Sequence, residues 1–562
     1  MLLNTLAAPG RGVDLVQIVG TLAEDVSIPE FREAWNRVME RHPVLRTAFR
    51  WEGCEEPVQE VFRDVELPLE EHDWRGTPAE AERARLEAFL ADDRRRQVDL
   101  SGAPAMRLAL VRTGRARTCL VWTVHHAAVD ARATLRVLRE AFTLYDALLQ
   151  GREVRLPPVR PYRDHVLWLR GRDWTDAEAF WRRTLDGLTT ATPLPASGTG
   201  DPRSEGSRRV QTRLSAVDTT GLRRLAAEHG LTLATLVQGA WAVLLSRCSG
   251  EEDVVFGTVR ACRRSSVPGA EEMVGLLINT LPLRVSARPD TPLLRFLREV
   301  RARGLEIRAH EQTPLAEIQR WSPLPPGAPL FETFLNFDDA SFDAALRADG
   351  GSWDGRTFEP RFRNGFPLSA SAYGDEELLL GLEYDLRRLG TAAVERVLER
   401  LRLLLERMAR DPGCTVGELG LLPPAERRWV LEAGTGPVAD IPREPGIHDL
   451  FARQARLTPG AVAVVSGGRQ LGYAALEREA NRLAHHLRRR GVGPEARVGI
   501  CLERGPELVV ALLGVLKAGG AYVPLDPENP AERLAHVLAD SGARVLITRE
   551  ELRVSLPPAG AE

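Results

Sequence analysis

One short segment constrains the fold of this chain more than any other. It consists of an apolar run, a stretch with two histidines and an aspartate, and then a helix pattern. Residues 120–124 read Leu-Val-Trp-Thr-Val, the pattern of a buried strand. After Asp130 the apolar residues recur at helical spacing, so a helix follows at once. His125, His126 and Asp130 are therefore expected on the turn between a core strand and a helix. Such a turn presents side chains to a cleft, where a histidine can handle a proton near neutral pH.

A pair of adjacent histidines does not by itself establish catalysis. A second pair, His485 and His486, lies in an amphipathic helix pattern beside three arginines, where a solvent-exposed helix surface explains it. By pattern alone the first pair fits a catalytic and a structural role equally well. A metal site is not predicted, because adjacent histidines on a strand-end turn rarely converge on one ion and no partner stands at ligand spacing.

Local signals divide the chain into three regions. Residues 1–187 mix helix and strand patterns, and a stretch rich in Pro, Ser, Gly and Thr follows at 190–208. A second α/β region, 188–425, contains an apolar helix near 233–248, strand patterns at 254–259, 276–285 and 330–337, and a helix at 391–410. A linker is predicted at 426–446. From 447 to 562 the pattern becomes a compact alternation of strands and helices.

Composition excludes several classes of protein. The 562 residues are too many for one hydrophobic core, and no apolar run is long enough to span a bilayer. The amino terminus lacks the features of a secretion signal. The six cysteines show no paired spacing, which predicts reduced thiols in the cytoplasm. A net charge of −3 gives no reason to expect nucleic acid as a partner.

The histidine turn resembles the His-His-x-x-x-Asp signature of condensation domains of nonribosomal peptide synthetases. Four further segments resemble core motifs of that family, in its order: Arg-His-Pro-Val-Leu-Arg-Thr at 41–47, Tyr-Arg-Asp-His-Val-Leu-Trp at 162–168, Val-Gly-Leu-Leu-Ile-Asn-Thr-Leu-Pro-Leu-Arg at 274–284 and His-Glu-Gln-Thr-Pro-Leu at 310–315. The resemblance covers roughly residues 10–420. Residues 471–476 and 516–526 resemble the first two core motifs of amino-acid adenylation domains.

The resemblance implies an α/β fold with two chloramphenicol-acetyltransferase-like lobes in a V shape around a tunnel, followed by a truncated α/β adenylation subdomain. It also implies amide formation between two thioesters, carried on the 4′-phosphopantetheine arms of an upstream donor and a downstream acceptor peptidyl carrier protein. These arms are substrates, and no directly bound cofactor is expected. The remainder of the adenylation domain is a further implied partner, whereas nucleic acid and membranes are not.

The resemblance also suggests a role for each site residue. His126 matches the second motif histidine and is expected to accept or position the proton of the attacking amine, while His125 is expected to order the loop. Asp130 is expected to lock the turn by pairing with an arginine, because a buried carboxylate needs such a partner. Arg284 is the candidate partner, or a surface arginine. Asn279 is expected to bind a backbone or pantetheine amide, or to be a structural amide within its strand.

One departure from the family pattern keeps other functions open. Ala131 replaces the usual glycine after the motif aspartate, which fits if this position is the first residue of the helix. Alternative functions are a divergent condensation domain that also dehydrates a seryl or threonyl group, a non-catalytic docking domain, and a free-standing acyltransferase that uses diffusible thioesters.

Adenylation itself is not expected from this chain. Adenylation enzymes rely on a late lysine, because negative charge develops on phosphate oxygens. The sequence contains one lysine, Lys517, and it lies in the second adenylation motif.

Overall fold

The computed structural model describes residues 13–196, 198–204, 206–348, 350–436, 445–554 and 556. The chain divides into two compact units, Met1–Glu432 and Ala433–Glu562. Each unit has its own sheets and its own hydrophobic cores.

Two open sheets form the framework of the first unit. In chain order the strands are β1 (Leu15–Leu22), β2 (Thr47–Arg50), β3 (Val58–Val61), β4 (Leu69–Asp73), β5 (Met106–Gly114), β6 (Arg117–His125), β7 (Ser207–Arg213), β8 (Asp253–Arg260), β9 (Asn279–Ser286), β10 (Thr333–Asp338), β11 (Arg356–Phe362), β12 (Leu368–Tyr373) and β13 (Leu379–Asp385). One sheet is five-stranded with the order β11-β1-β6-β5-β4, the other is six-stranded with the order β7-β13-β12-β10-β8-β9, and β2 and β3 form a separate hairpin.

The helices of the first unit lie between and after these strands in the sequence. In chain order they are α1 (Ile28–Arg41), α2 (Ala79–Arg95), α3 (Ala131–Leu149), α4 (Tyr162–Arg170), α5 (Thr175–Leu185), α6 (Ala216–Glu228), α7 (Leu233–Ser249), α8 (Leu293–Ala309), α9 (Leu315–Trp321), α10 (Phe342–Ala348), α11 (Thr391–Arg410) and α12 (Pro424–Gly434). Short 3-10 turns occur at Pro43–Arg46, Ala270–Glu272 and Val416–Glu418.

Strand β6 lies in the middle of the first sheet, and every residue of it after Arg117 is buried. Helices α1 and α3 pack on one face, where the rings of Trp35 and Trp122 meet with centroids 5.0 Å apart. The predicted buried strand is therefore confirmed. Because β6 is held from both sides, the turn that follows it starts from a fixed position.

Strand β11 crosses from the second half of the chain into the first sheet. It pairs antiparallel with β1, with Leu22 opposite Arg356 at one end and Val16 opposite Phe362 at the other. The sequence boundary near residue 187 assigns this strand to the second lobe. The structure places it in the first, so the sheet of the first lobe contains one strand from the second half of the chain.

The second unit is smaller and has a parallel sheet. Its elements are α13 (Ile447–Leu457), β14 (Val462–Ser466), β15 (Arg469–Gly472), α14 (Tyr473–Arg489), β16 (Arg497–Cys501), α15 (Pro506–Ala518), β17 (Ala521–Leu525), α16 (Ala531–Ser541), β18 (Val545–Thr548) and α17 (Glu550–Arg553). The parallel sheet has the order β17-β16-β18, and β14 and β15 form a hairpin. The predicted linker at 426–446 overlaps α12, and its residues 437–444 lie outside the described part of the chain.

No single helix in the described ranges is long and apolar enough to cross a membrane. The bent pair α6 and α7, with an angle of 105° between its members, meets the criterion of length and composition when the two are taken together.

Candidate active site

The histidine turn connects β6 to α3. Strand β6 ends at His125, and Asp130 is the N-cap of α3, which begins at Ala131. The prediction that Ala131 opens the helix is confirmed, so this position does not need the positive φ that favours glycine. The main chain is tethered at three points: His125 N–H donates to Ala105 O at 3.0 Å, His126 N–H to Asp14 O at 2.8 Å, and Asp130 N–H to Gly275 O at 3.2 Å.

The carboxylate of Asp130 joins three segments of the chain. Oδ1 accepts from Ala133 N–H at 2.8 Å and from Arg263 Nη2 at 2.6 Å, and Oδ2 accepts from Leu277 N–H at 3.0 Å. The side chains of Arg263 and Asp130 are only 2% and 0% exposed. A charge this deeply buried is tolerated only with a partner and further hydrogen bonds, and here both are present.

Arg263 is also held from its other side. Its Nη1 donates to the carbonyl oxygens of Ala270 and Met273 at 3.0 and 2.7 Å. The pair with Asp130 therefore fixes the 263–277 segment to the start of α3, and the turn becomes part of a rigid assembly.

The prediction that Arg284 pairs with Asp130 is wrong. Arg284 lies well inside β9, and its guanidinium pairs with Asp253 at 2.6 Å and also donates to the carbonyl oxygen of Thr184 at 3.2 Å. Asp130 instead meets the segment that precedes β9. No sequence signal distinguishes Arg263 from its neighbour Arg264, whose side chain is 78% exposed, which is why sequence reasoning missed the true partner.

His125 is buried beneath the turn. Its Nδ1 accepts a hydrogen bond from Ala127 N–H at 3.1 Å, so a neutral ring carries its proton on Nε2. Burial lowers the pKa of His125 to about 4, and the adjacent His126 contributes in the same direction. The ring is thus neutral at physiological pH and orders the loop around it.

His126 lies against an aromatic ring. Its imidazole is 7% exposed and meets Phe362 edge to face, with centroids 4.9 Å apart and an interplanar angle of 76°. Nδ1 is buried without a hydrogen bond of good geometry to any residue that the structure describes. Burial lowers the pKa of His126 below its ordinary value, while its backbone and the carboxylates of Asp130 and Asp14 oppose this only in part. The site therefore holds a neutral imidazole.

Asn279 is the first residue of β9 and contacts the backbone. Its Nδ2 donates to Glu311 O at 3.1 Å and to Thr313 O at 2.7 Å. Both amide hydrogens are thereby used to fasten β9 to the 311–313 segment. These contacts are those of a structural amide within its strand, one of the roles left open by the sequence, and binding of a pantetheine amide stays a prediction.

The structure brings His125, His126, Asp130 and Arg263 together and leaves Arg284 outside the group. The second histidine pair, His485 and His486, is exposed on α14 of the second unit, which confirms its assignment to a solvent-facing helix surface. Within the described ranges, no cluster of His, Cys, Asp and Glu has the geometry of a metal site.

Gly275 is closely packed behind the turn, so its replacement by a larger residue is expected to lower the stability of the protein. The Tyr162 ring occupies the space that a Cβ on Gly275 would need, with Cγ only 2.6 Å away, and Tyr162 O–H donates to Leu276 O at 2.8 Å. Gly275→Ala is expected to push residues 275–277 away from Asp130 and to lower the free energy of unfolding by about 1–3 kcal/mol, as measured in urea.

Gly304→Ala is the matched control for this change. Gly304 lies within α8, and a Cβ built there has no heavy atom within 4 Å. It should leave stability unchanged or raise it, because alanine favours the helix. Equal stability of the Gly275→Ala variant and the parent would contradict the tight packing behind the turn.

Two comparisons with known families agree with this geometry. The two open sheets, with a histidine turn between a core strand and a helix, define a mixed α/β protein. Residues 14–431 match the family model of the condensation domain, and residues 451–561 match that of AMP-binding enzymes. The chain belongs to the condensation-domain family of nonribosomal peptide synthetases, and a short AMP-binding segment follows that domain.

The synthetase proteins that match the whole of this chain are longer than it is. It is 37% identical over 564 residues to a linear gramicidin synthase protein of Brevibacillus parabrevis, a match that covers 100% of this chain and 11% of that protein. A crystal structure of the nonribosomal peptide synthetase FmoA3 superposes with a TM-score of 0.76 at 27% identity, covering 99% of this chain and 58% of the other. The X-domain from teicoplanin biosynthesis, at 22% identity and a TM-score of 0.64, covers 75% of this chain and 95% of its own, and shares the fold.

Proposed function

We propose that this chain catalyses amide-bond formation between a donor acyl thioester and an acceptor aminoacyl thioester, each carried on the 4′-phosphopantetheine arm of a carrier protein. The observation that carries the proposal is the neutral imidazole of His126, held at the end of a rigid turn in a condensation-family fold. Because the chain spans about a tenth of the gramicidin synthase protein that it matches, both carriers are assigned to other segments or chains.

The chemistry needs one group that manages a proton. The acceptor amine attacks the thioester carbonyl, a tetrahedral oxyanion forms, and the C–S bond then breaks to release the donor thiolate. The proton lost by the amine ends on that sulfur. A neutral His126 ring can accept the amine proton and return it to the leaving thiolate. Placing both arms end to end supplies much of the remaining acceleration.

The other site residues act through the turn and not on substrate. Asp130 accepts three hydrogen bonds from the protein, which occupy both of its oxygens. It is therefore assigned to holding the loop and not to proton transfer. His125, whose pKa of about 4 keeps it neutral, is assigned to the same supporting role.

The second unit is proposed to contribute no adenylation. Lys517 lies near the end of α15 and forms an ion pair with Glu477 at 2.8 Å, so its charge is already compensated. ATP–pyrophosphate exchange measured with each of the 20 common amino acids is expected to stay at background. Exchange with any one of them would overturn this part of the proposal.

Reconstitution tests the condensation reaction directly. A donor and an acceptor carrier protein are loaded, in all pairings, with glycyl, L-alanyl, L-leucyl, L-phenylalanyl and L-seryl groups and incubated with this chain. Intact-protein mass spectrometry is expected to show the acceptor carrier gaining the mass of the donor acyl group. An additional loss of one water from a seryl product would identify the dehydrating alternative. Stable loaded carriers in every pairing would overturn the proposal and favour a docking domain.

The pH dependence of the reaction should reflect the lowered pKa of His126. A base acts when deprotonated, so the catalysed rate falls as the pH drops through that pKa. The acceptor amine also titrates, and dividing the catalysed rate by the uncatalysed rate for the same loaded carriers removes its contribution. The resulting midpoint is expected below about 6.5, the ordinary value for histidine. A midpoint at or above that value would contradict the neutral, buried imidazole.

A further inference from the structure

The end of strand β11 lies over the ring of His126. Although β11 comes from the second half of the chain, it pairs with β1 and carries Phe362 to the position opposite Val16. The half-buried Phe362 ring meets the almost fully buried His126 ring edge to face at 4.9 Å. Such a geometry is favourable for two aromatic rings and orients each against the other.

One residue couples the main chain of the turn to that of β11. His126 N–H donates to Asp14 O at 2.8 Å, and Asp14 N–H donates to Arg363 O at 2.9 Å. Asp14 has a positive φ of 62°, a conformation that is uncommon outside glycine but that aspartate adopts more readily than most residues. The backbone of His126 and the backbone next to Phe362 are therefore held in register through Asp14.

The opposite end of β11 is anchored by charge. The Arg356 side chain, 8% exposed, pairs with Glu24 at 2.6 Å and with Asp146 at 2.7 Å, and its guanidinium lies 4.7 Å from the centroid of the Phe142 ring. With both ends fixed, the strand cannot slide along β1. The position of Phe362 relative to His126 is thus set by the fold and not by the local loop.

We propose that Phe362 is a positioning residue for condensation: its ring holds the His126 imidazole in one orientation and shields it from water. This inference rests on the function proposed above. An imidazole that handles a proton must point its free nitrogen at the reacting amine, and a small misplacement of such a group costs much of its effect. Phe362 is the side chain from the second half of the fold that supplies this constraint.

The charged groups around His126 determine the direction of the expected pH effect. Asp14, just before β1, and Asp130, at the start of α3, favour the protonated ring, whereas burial opposes protonation. Removing the Phe362 ring admits water and weakens the effect of burial. The attraction between the two carboxylates and the protonated ring is then opposed less strongly. The pKa of His126 should therefore be higher in Phe362→Ala than in the parent.

Acylation of His126 by diethyl pyrocarbonate tests the inference without any substrate. The reagent attacks neutral, accessible imidazole, and tandem mass spectrometry separates His126 from His125. Rates are measured between about pH 5 and 8, the range in which histidines titrate, for the parent, Phe362→Ala, Phe362→Tyr and Phe358→Leu. Phe358 is the control on the same strand, since it packs on Phe142 and Trp353 and not on His126.

Phe362→Ala is expected to speed acylation and to raise its pH midpoint, while Phe362→Tyr and Phe358→Leu behave like the parent. With the loaded carriers, Phe362→Ala should lower kcat by about ten- to a hundredfold and leave the acceptor KM nearly unchanged. An unchanged acylation profile in Phe362→Ala, or an equal change in Phe358→Leu, would overturn the inference. Failure of the parent to condense any loaded pair would overturn the proposed function instead, because the acylation result stands independently.

Discussion

Replacement of His126 by alanine is expected to slow amide formation by about 10²–10⁴-fold, the contribution typical of an oriented proton-handling group. The rate is measured by intact mass of the acceptor carrier under single-turnover conditions. The fold should persist, because the cores of the two lobes supply the stability, whereas the His126 imidazole lies at their margin and its Nδ1 makes no hydrogen bond of good geometry to the described residues.

A second buried histidine provides the control for this experiment. His165 hydrogen-bonds Ser266 at 2.6 Å and stacks on Trp168, and burial lowers its pKa to about 4, so it is also a buried neutral imidazole, but it does not lie on the turn. His165→Ala is expected to lower stability with a much smaller effect on rate. A drop of less than about tenfold in His126→Ala would fall short of general acid–base catalysis and would count against the assignment.

Asp130→Ala is expected to cause the largest loss of stability. It leaves the Arg263 guanidinium buried and unpaired, and removing one partner of a buried ion pair costs about 3–5 kcal/mol. It also removes the cap of α3 and the acceptor for Leu277 N–H. Urea denaturation of the purified chain measures the change, and activity should be lost together with stability.

Two further variants test whether the unpaired charge of Arg263 causes the loss of stability in Asp130→Ala. Arg284→Ala removes a partly exposed pair with Asp253 and should cost far less. Arg263→Met combined with Asp130→Ala should recover part of the loss, because no buried charge then remains unpaired. An Asp130→Ala protein that unfolds like the parent but is inactive would show that Asp130 takes part in the chemistry.

Local patterns predicted the elements around the site well. The buried strand ending at His125 and the helix after Asp130 follow from a short apolar run and from helical spacing, and both signals lie within about twenty residues of sequence. The helix predicted at 391–410 has the same bounds in the structure, Thr391–Arg410. Strand β9 begins at Asn279 and not at 276, because the backbone of 275–277 is occupied by hydrogen bonds to Asp130 and Tyr162.

The sequence could not predict the contacts that close the site. The pairing of β11 with β1 joins residues more than three hundred positions apart, and strand pairing at that distance leaves no local periodicity. The choice of Arg263 over Arg284 depends on which guanidinium is carried into the interior by an irregular segment. In a chain whose basic residues are almost all arginine, residue type gave no help.

The late position of β11 in the sequence also affects the order in which the nascent chain can fold. On the ribosome, β1 and β6 emerge early, but β1 keeps one open hydrogen-bonding edge until β11 has been synthesised. By then β7 to β10 of the other sheet are also complete, whereas β12 and β13 are not. An open strand edge is a site for wrong pairing. Translation that stalls before residue 356 should therefore release a product prone to aggregation, and recombination between the lobes should succeed only when the segment carrying β11 comes from the same parent as β1.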